Sequence, residues 1–237
     1  MIGKRFGKLG WPAKIALGLL LLFTLYQLWI FGHIVAWRWI DPTMSSFMQA
    51  HLDAMREKDP EAKLQHRWVP YREISNNLKR AVLASEDSAF MTHSGFDWEG
   101  IHNAYEKNLR KGKLVAGGST ITQQLAKNLF LSGSRSILRK GEEAIVTVML
   151  EAMLPKRRIL EIYLNVMECG DGVYGAEAGA RHYFHVAAAR LSPAQAARMA
   201  AMLPKPRYYD RHRSSRWLNQ KTVTVLARMP QVAIPRN

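Results

Sequence analysis

Residues 74–97 read ISNNLKRAVLASEDSAFMTHSGFD, a helical pattern that runs into a polar loop. Ile74, Leu78 and Val82 recur at helical spacing, and one further step of four residues reaches Glu86. An acid that continues an apolar stripe is partly withdrawn from water, which disfavours its charged form. Glu86 is therefore a candidate for accepting or delivering a proton near neutral pH. The alternative interpretation is an exposed helix end that is rich in acids.

The sequence around this stretch predicts one mainly α-helical domain. The segments with helical spacing and helix-boundary signals are residues 74–88, 119–130, 141–153, 156–167, 176–184, 193–203 and 216–229. No strand-like alternation is sustained, and neither a repeat nor a low-complexity segment is present. The Ala-rich and apolar helices are sufficient for a globular core within 237 residues.

The N-terminal region predicts a membrane anchor. From Ile15 to Trp37 the chain has no Asp, Glu, Lys or Arg, which meets the ~20 residues that a helix needs to cross a bilayer. A cleaved signal peptide is the alternative, but its apolar region is usually about 7–15 residues and ends in a small-residue site, which is missing here. Because cations precede the apolar run, we expect a cytoplasmic N-terminus and a domain outside the membrane. Those cations are Lys4, Arg5, Lys8 and Lys14.

The composition predicts an anionic partner. The chain has 34 Lys and Arg against 19 Asp and Glu, a net charge of +15. Such a charge favours phospholipid, nucleic acid or a phosphorylated substrate, and a location outside the membrane favours phosphorylated lipid over nucleic acid. Cys169 is the single cysteine, so no intramolecular disulfide can form, and His and Cys show no spacing typical of a zinc site.

Polar and basic residues follow a Gly-rich loop in the middle of the chain. Residues 118–124 read GSTITQQ, where a loop enters a helix whose N-terminal N–H groups suit a phosphate or a sugar. Ordinary helix capping by Ser119 or Thr120 is the alternative. Lys127 follows on the same helix, and further cations occur at Arg135, Arg139 and Lys140. This group can hold a diphosphate, or it can be a solvated basic face.

Glu143 is the second carboxylate of interest. It lies four residues after Arg139 and three after Lys140, so an intrahelical ion pair is the simplest account. A second carboxylate with nearby cations also fits glycosyl transfer, in which one carboxylate deprotonates a hydroxyl and positive charge stabilises the leaving group.

Taken in order, five motifs of the chain resemble those of the bacterial peptidoglycan glycosyltransferases, a family found in class A penicillin-binding proteins and as stand-alone enzymes. The resemblance covers roughly residues 70–206. The motifs are ED-x-x-F-x-x-H-x-GFD (86–97), GSTITQQLAKN (118–128), RK-x-x-EA (139–144) towards Glu151, ILEIYLN (159–165) with the following Gly and Tyr residues, and LS-x-A-x-x-A-x-MAAMLP-x-P (191–206). Gln195 and Glu142 depart from the usual family residues, and neither position carries an expected catalytic role.

The resemblance implies a lysozyme-like fold with a small membrane-associated lobe and a monofunctional biosynthetic enzyme. The implied reaction polymerises lipid II: the lipid-linked growing chain is transferred, with inversion, onto the GlcNAc 4-hydroxyl, and undecaprenyl diphosphate is released. The implied catalytic residues are Glu86, as the general base, and Glu143, with a divalent cation such as Mg or Mn as a candidate cofactor. The implied substrate-binding residues are Asp87, Phe90, His93, Ser119, Thr120, Gln123, Gln124, Lys127, Asn128, Arg135, Arg139 and Lys140.

The expected organisation is a cytoplasmic tail (1–14), a transmembrane helix (15–37), a juxtamembrane linker (38–69), the catalytic domain (70–206) and a basic C-terminal segment (207–237). The expected location is the bacterial inner membrane with a periplasmic domain, and other cell-wall synthesis proteins are candidate partners. Since every motif lies after residue 70, we expect deletion of residues 1–40 to leave a folded, active domain. Two alternatives stay open: a lysozyme-like enzyme that cleaves glycan, and a non-enzymatic scaffold that binds anionic lipid.

Overall fold

The computed structural model describes residues 10–113, 117–131 and 136–236, and this part of the chain is mainly α-helical, as predicted. Arg135 and the cations before residue 10 lie outside the described residues. The helices are α1 (Trp11–Ala36), α2 (Ser46–Arg56), α3 (Asn76–Glu86), α4 (Trp98–Lys111), α5 (Ile121–Phe130), α6 (Ile137–Met153), α7 (Lys156–Val166), α8 (Ala176–Phe184), α9 (Pro193–Met202), α10 (Pro206–Arg211) and α11 (Arg216–Arg228). Short 3₁₀ turns occupy Tyr71–Glu73, Ala188–Arg190 and Met229–Gln231.

A small three-stranded sheet joins distant parts of the chain. Its strands are β1 (Gln65–His66), β2 (Glu168–Gly170) and β3 (Val173–Tyr174), with β3 in the centre, parallel to β1 and antiparallel to β2. Strands of two or three residues are too short to show period-two alternation, so the sequence did not predict them. Through β1, the expected linker is tied to the catalytic domain.

The central helix of the core is α7. Every residue from Arg158 to Val166 is buried, so this helix is enclosed on all sides. Its buried polar groups are paired, as burial requires: Glu161 accepts a hydrogen bond from the Tyr71 amide (2.6 Å) and from Arg158 Nη1 (2.9 Å). Helices α3, α5 and α6 pack around this core and bring the sequence motifs to one side of it.

The start of helix α6 differs from the sequence expectation. Helix α6 begins at Ile137, four residues before the predicted start, because the Ser136 side chain caps it by accepting the Arg139 amide hydrogen. Gly141 suggested a boundary but lies inside the helix. Arg139 and Lys140 are therefore helical residues.

Helix α4 was not predicted. Its apolar residues Trp98, Ile101, Tyr105 and Leu109 recur at helical spacing, although in the structure only Ala104 of this helix is buried. Its boundary signals were nevertheless present: Asp97 caps the first turn and Gly112 ends the helix in the left-handed conformation.

Helix α1 is long and apolar enough to cross a membrane, and among the described residues it is alone in this. It is also packed on the domain. Ile30 and Ile34 are fully buried members of the main core, and the Trp37 ring lies 5.0 Å from the Phe130 ring of α5, centroid to centroid.

Arg158 fixes the end of α1 to the centre of the domain. Its guanidinium donates to the carbonyl oxygens of Trp37 (2.7 Å) and Ile40 (2.8 Å) and pairs with Asp41 (2.7 Å). Arg158 is only 7 % exposed, so these partners satisfy a buried charge. The motifs alone could not reveal this packing, and the expectation that deletion of residues 1–40 leaves a folded, active domain stays a prediction.

Candidate active site

Glu86 is the last residue of α3 and is half-buried at the edge of the core. The stripe that leads to it is as predicted, since Ile74, Leu78 and Val82 are all buried. One carboxylate oxygen accepts a hydrogen bond from Ser85 Oγ (3.0 Å) and the other from Gln124 Nε2 (3.1 Å). Each oxygen of the Glu86 carboxylate keeps a free lone pair after these bonds, and the side chain keeps access to solvent. A general base needs both in order to accept a proton.

Gln124 is itself held by a buried tyrosine. Tyr163 of α7 donates its hydroxyl hydrogen to Gln124 Oε1 (2.9 Å), which turns the amide nitrogen towards Glu86. Burial, and then the negative charge of Glu86, raise the pKa of Tyr163 well above its ordinary value, so its hydroxyl keeps its proton. Tyr163 lies within the fourth motif, but sequence reasoning gave it no role.

Asp87 connects α3 to the start of α5. Its buried carboxylate accepts hydrogen bonds from the Ile121 amide and from His93 Nε2, both at 2.9 Å. His93 Nδ1 accepts from the Gly95 amide (3.1 Å), which assigns the ring proton to Nε2. An acid at a helix N-terminus is stabilised by the helix dipole, so this contact fixes α5 against α3.

Phe90 and the first turn of α5 also face the protein. Phe90 is fully buried, and Thr120 and Gln123 form a capping box in which each side chain bonds the other's backbone. These residues were expected to contact substrate, together with Asp87 and His93. In the structure the side chains of all five residues contact other parts of the protein. Ser119 is exposed.

Gly95 brings the first motif against the second and third. Its carbonyl accepts from Thr120 Oγ1 (2.6 Å), and its φ of +87° suits glycine. A Cβ at this position would lie 2.7 Å from Thr147 Cγ2 of α6. The motifs are therefore in direct contact at a point that admits no side chain.

A second buried link joins α5 to α6 and α7. Glu151 Oε1 accepts from Thr122 Oγ1 (2.6 Å) and from Lys156 Nζ (2.7 Å). Sequence analysis noted Glu151 as part of the third motif but gave it no role. The pairing assigns it to the frame that holds the site.

A cavity of about 210 Å³ is lined by Gln124, Lys127 and Asn128 of α5, and Gln124 connects it to Glu86 through their hydrogen bond. Tyr163, Glu168 and Pro206 also line this cavity. The cavity thus combines an amide that contacts Glu86 with a cation one helical turn away. A hydroxyl group and an anionic group of one substrate can be bound there together.

Glu143 is buried and pairs with both cations of its own helix. Arg139 Nη1 lies 3.2 Å from Glu143 Oε2, and Lys140 Nζ forms a close contact with Glu143 Oε1. The intrahelical ion pairs expected as the simplest account are therefore present. They also orient Arg139 and Lys140. Within the described residues no group of three or more His, Cys, Asp or Glu side chains has the spacing of a metal site.

Comparison with known proteins assigns most of the chain to one family domain. The transglycosylase family model matches residues 53–230. A biosynthetic peptidoglycan transglycosylase from Laribacter hongkongensis is 60 % identical over 96 % of this chain and 100 % of its own length. Proteins of the same name from Chromobacterium violaceum (59 % identical) and Dechloromonas aromatica (56 %) each match over 94–95 % of this chain and 97 % of their own length.

Proposed function

The chain belongs to the transglycosylase family and is a peptidoglycan glycosyltransferase, and on that premise we propose that Glu86 is its general base. The proposed reaction polymerises lipid II into linear glycan strands. Glu86 takes the proton from the GlcNAc 4-hydroxyl of the acceptor, and the freed oxygen attacks C1 of the donor's MurNAc. The bond from C1 to the diphosphate oxygen breaks with inversion, and undecaprenyl diphosphate departs.

The observation that carries this proposal is the position of Glu86. It is half-buried and accepts a hydrogen bond from Gln124, which lines the same cavity as Lys127. Glycosyl transfer from a diphosphate requires a base for the acceptor hydroxyl and positive charge for the leaving group. Tyr163 supports the arrangement by fixing the orientation of Gln124.

The proposed diphosphate ligands are Lys127, Arg135, Arg139 and Lys140. Each supplies positive charge for the two phosphates of the departing group. Glu143 is proposed to act through Arg139 and Lys140, which it holds towards the donor. A divalent cation would add charge stabilisation to the same diphosphate.

Residues that face the protein are proposed to position the site. Asp87, with His93, fixes the N-terminus of α5, and with it Gln124, Lys127 and Asn128. Phe90 fills the core behind this contact. Ser119 is proposed to contact sugar directly because it is exposed at the entrance of α5.

The proposed topology places residues 1–14 in the cytoplasm, the rest of α1 across the inner membrane, and the domain in the periplasm. The cations before α1 support this orientation. The lipid-linked substrate then reaches the site along the periplasmic face of the inner membrane.

A polymerisation assay with fluorescent lipid II tests the role of Glu86. Glu86→Gln should bind lipid II and lose polymerisation by about 10²–10⁴-fold, the usual effect of removing a general base. Glu57→Gln, an exposed position at the end of α2, is the matched control. A Glu86→Gln rate above about a tenth of the wild-type rate would refute the assignment. Release of fragments from purified cell-wall sacculi by the wild-type protein would instead favour glycan cleavage.

A further inference from the structure

Aromatic and basic side chains share one face of the protein around α10. Residues 205–216 contain five Lys and Arg against one Asp. Four rings form a continuous row, with neighbouring centroids 4.2, 5.1 and 5.2 Å apart, in the order His212, Tyr208, Tyr209 and Trp217. Tyr209 is buried, whereas Tyr208 and Trp217 are 49 % and 47 % exposed. The aromatic row therefore presents two large rings to solvent on a buried support.

A cavity of about 510 Å³ adjoins the aromatic row, between the end of α2 and α10. Arg211 lines it and lies three residues after Tyr208 on α10, so the two features are neighbours on one helix. The charged groups of the lining include both signs: Lys58, Asp59, Asp171, Arg207 and Arg211.

The ion pair inside this cavity is open to exchange. Arg211 Nη2 lies 3.2 Å from Asp171 Oδ2, and both side chains are exposed. Exposed ion pairs contribute little to stability, so each partner can replace its contact with a group of a ligand. Lys58 and Asp59 are exposed as well. The cavity is therefore suited to a ligand that carries both carboxylate and amino groups.

The cavity is also remote from the part of the domain that meets α1. Ser46, at the start of α2, donates to the carbonyl oxygen of Leu129 (2.8 Å), next to Phe130, whose ring contacts that of Trp37. Lys58 follows the opposite end of α2, a helix of 11 residues or roughly 16 Å. This separation favours a partner other than the bilayer that holds α1.

From these observations we infer that the face around α10 binds peptide-bearing strands of the existing peptidoglycan wall. The inference goes beyond polymerisation, because it requires no residue of the candidate active site. Sugar rings have apolar faces, which pack on exposed aromatic rings such as Tyr208 and Trp217. A flat row of rings is open at both ends and accepts a polymer without enclosing it.

The charges of the cavity fit the peptides of this polymer. Peptides that are cross-linked to one another must carry both carboxylate and amino groups. Their carboxylates can pair with Lys58 and Arg211, and their amino groups with Asp59 and Asp171. An acidic phospholipid such as phosphatidylglycerol has no amino group, and the two Asp side chains would repel its phosphate.

Co-sedimentation of the full chain with purified cell-wall sacculi, in detergent, tests the inference. We expect Tyr208→Ala to weaken binding about tenfold through loss of an aromatic contact. Lys58→Glu should weaken it about fivefold, the scale of an exposed charge pair. The matched controls are Tyr105→Ala and Lys107→Glu, at exposed positions of α4, which should change binding by less than about twofold. Lys58 is exposed beyond the end of α2, so its variant decides the test even if Tyr208→Ala fails to fold.

Two further measurements separate the parts of the proposal. On sacculi whose peptides have been removed by an amidase, Lys58→Glu should bind like wild type, and Tyr208→Ala should still bind more weakly. Polymerisation of lipid II by both variants should stay within about twofold of wild type.

Three results would overturn the inference. The first is wild-type protein that does not bind sacculi, or variants that bind them as their controls do. The second is binding to phosphatidylglycerol vesicles that both variants lose while they keep sacculus binding, which would make the face a lipid site. The third is loss of polymerisation with sacculus binding intact, which would assign Tyr208 or Lys58 to the active site.

Discussion

Deleting residues 1–40 removes α1 together with two of the acceptors of Arg158. The guanidinium loses the Trp37 and Ile40 carbonyl oxygens, at 2.7 and 2.8 Å, and keeps only the Asp41 carboxylate and Glu161. Hydrogen bonds to a charged group contribute about 1.5–3 kcal/mol each, so the two bonds correspond to about 3–6 kcal/mol. Water will replace part of this, and we take ~3 kcal/mol as the lower bound.

Lost apolar contacts add to that value. Ile30 and Ile34 are fully buried, and burial of an Ile side chain contributes about 1.5–3 kcal/mol. Detergent will cover part of the newly exposed surface, so this contribution is left out of the lower bound. A loss of ~3 kcal/mol is a large share of the ~5–15 kcal/mol that stabilises a typical domain.

The assay is thermal unfolding in detergent, followed by the fluorescence of Trp68, Trp98 and Trp217, which the deletion retains. At about 2–4 °C per kcal/mol for a domain of this size, Tm should fall by at least ~6 °C. Deletion of residues 1–10, which leaves α1 intact, is the control. A Tm within ~2 °C of that control would refute the reasoning and restore the view of α1 as a simple anchor.

Three further outcomes are expected. Gly95→Ala should lower stability by about 1–3 kcal/mol in denaturant unfolding, since its Cβ would lie 2.7 Å from Thr147 Cγ2 at a φ of +87°; an unchanged midpoint would contradict the contact. Burial lowers the pKa of Lys79 to about 8. The charge of Glu161 opposes this shift and the charge of Arg157 adds to it. As the pH rises, Lys79 therefore loses its proton in the folded state at a lower pH than in the unfolded state. Stability measured against Lys79→Met should therefore rise between pH 8 and 10, and a flat difference would refute the shift. Lys127→Ala should reduce lipid II turnover about tenfold or more, with Lys127→Arg only partly active because a fork and a point charge bind phosphate differently; normal turnover by the Ala variant would exclude this lysine as a diphosphate ligand.

The candidate site could be located from sequence because its motifs are local. Glu86 follows the spacing of its own helix, and Lys127 and Asn128 follow the spacing of α5 from Gln124. Such relations depend on 3.6 residues per turn and need no knowledge of the fold. The mainly helical fold is confirmed for the same reason.

The sequence did not show which motif residues contact other parts of the protein. Asp87 is expected from its motif to contact substrate, but its carboxylate binds the Ile121 amide, 34 residues away in sequence. Tyr163 reaches Gln124 across 39 residues. These contacts depend on how helices pack, and periodicity within one helix carries no information about the side chains of another.

The sequence by itself determined the family, the long apolar N-terminal helix and the region of the candidate site, since composition, helical period and motif order are properties of the chain. Only the tertiary structure decided that α1 is part of the domain. Arg158 is charged and lies near the start of a helix, where sequence reading places it on the surface, yet it is buried and bonded to the backbone that follows α1. The physical reason is that a buried cation is stable only where acceptors surround it, and apart from Glu161 those acceptors come from residues more than 110 positions away.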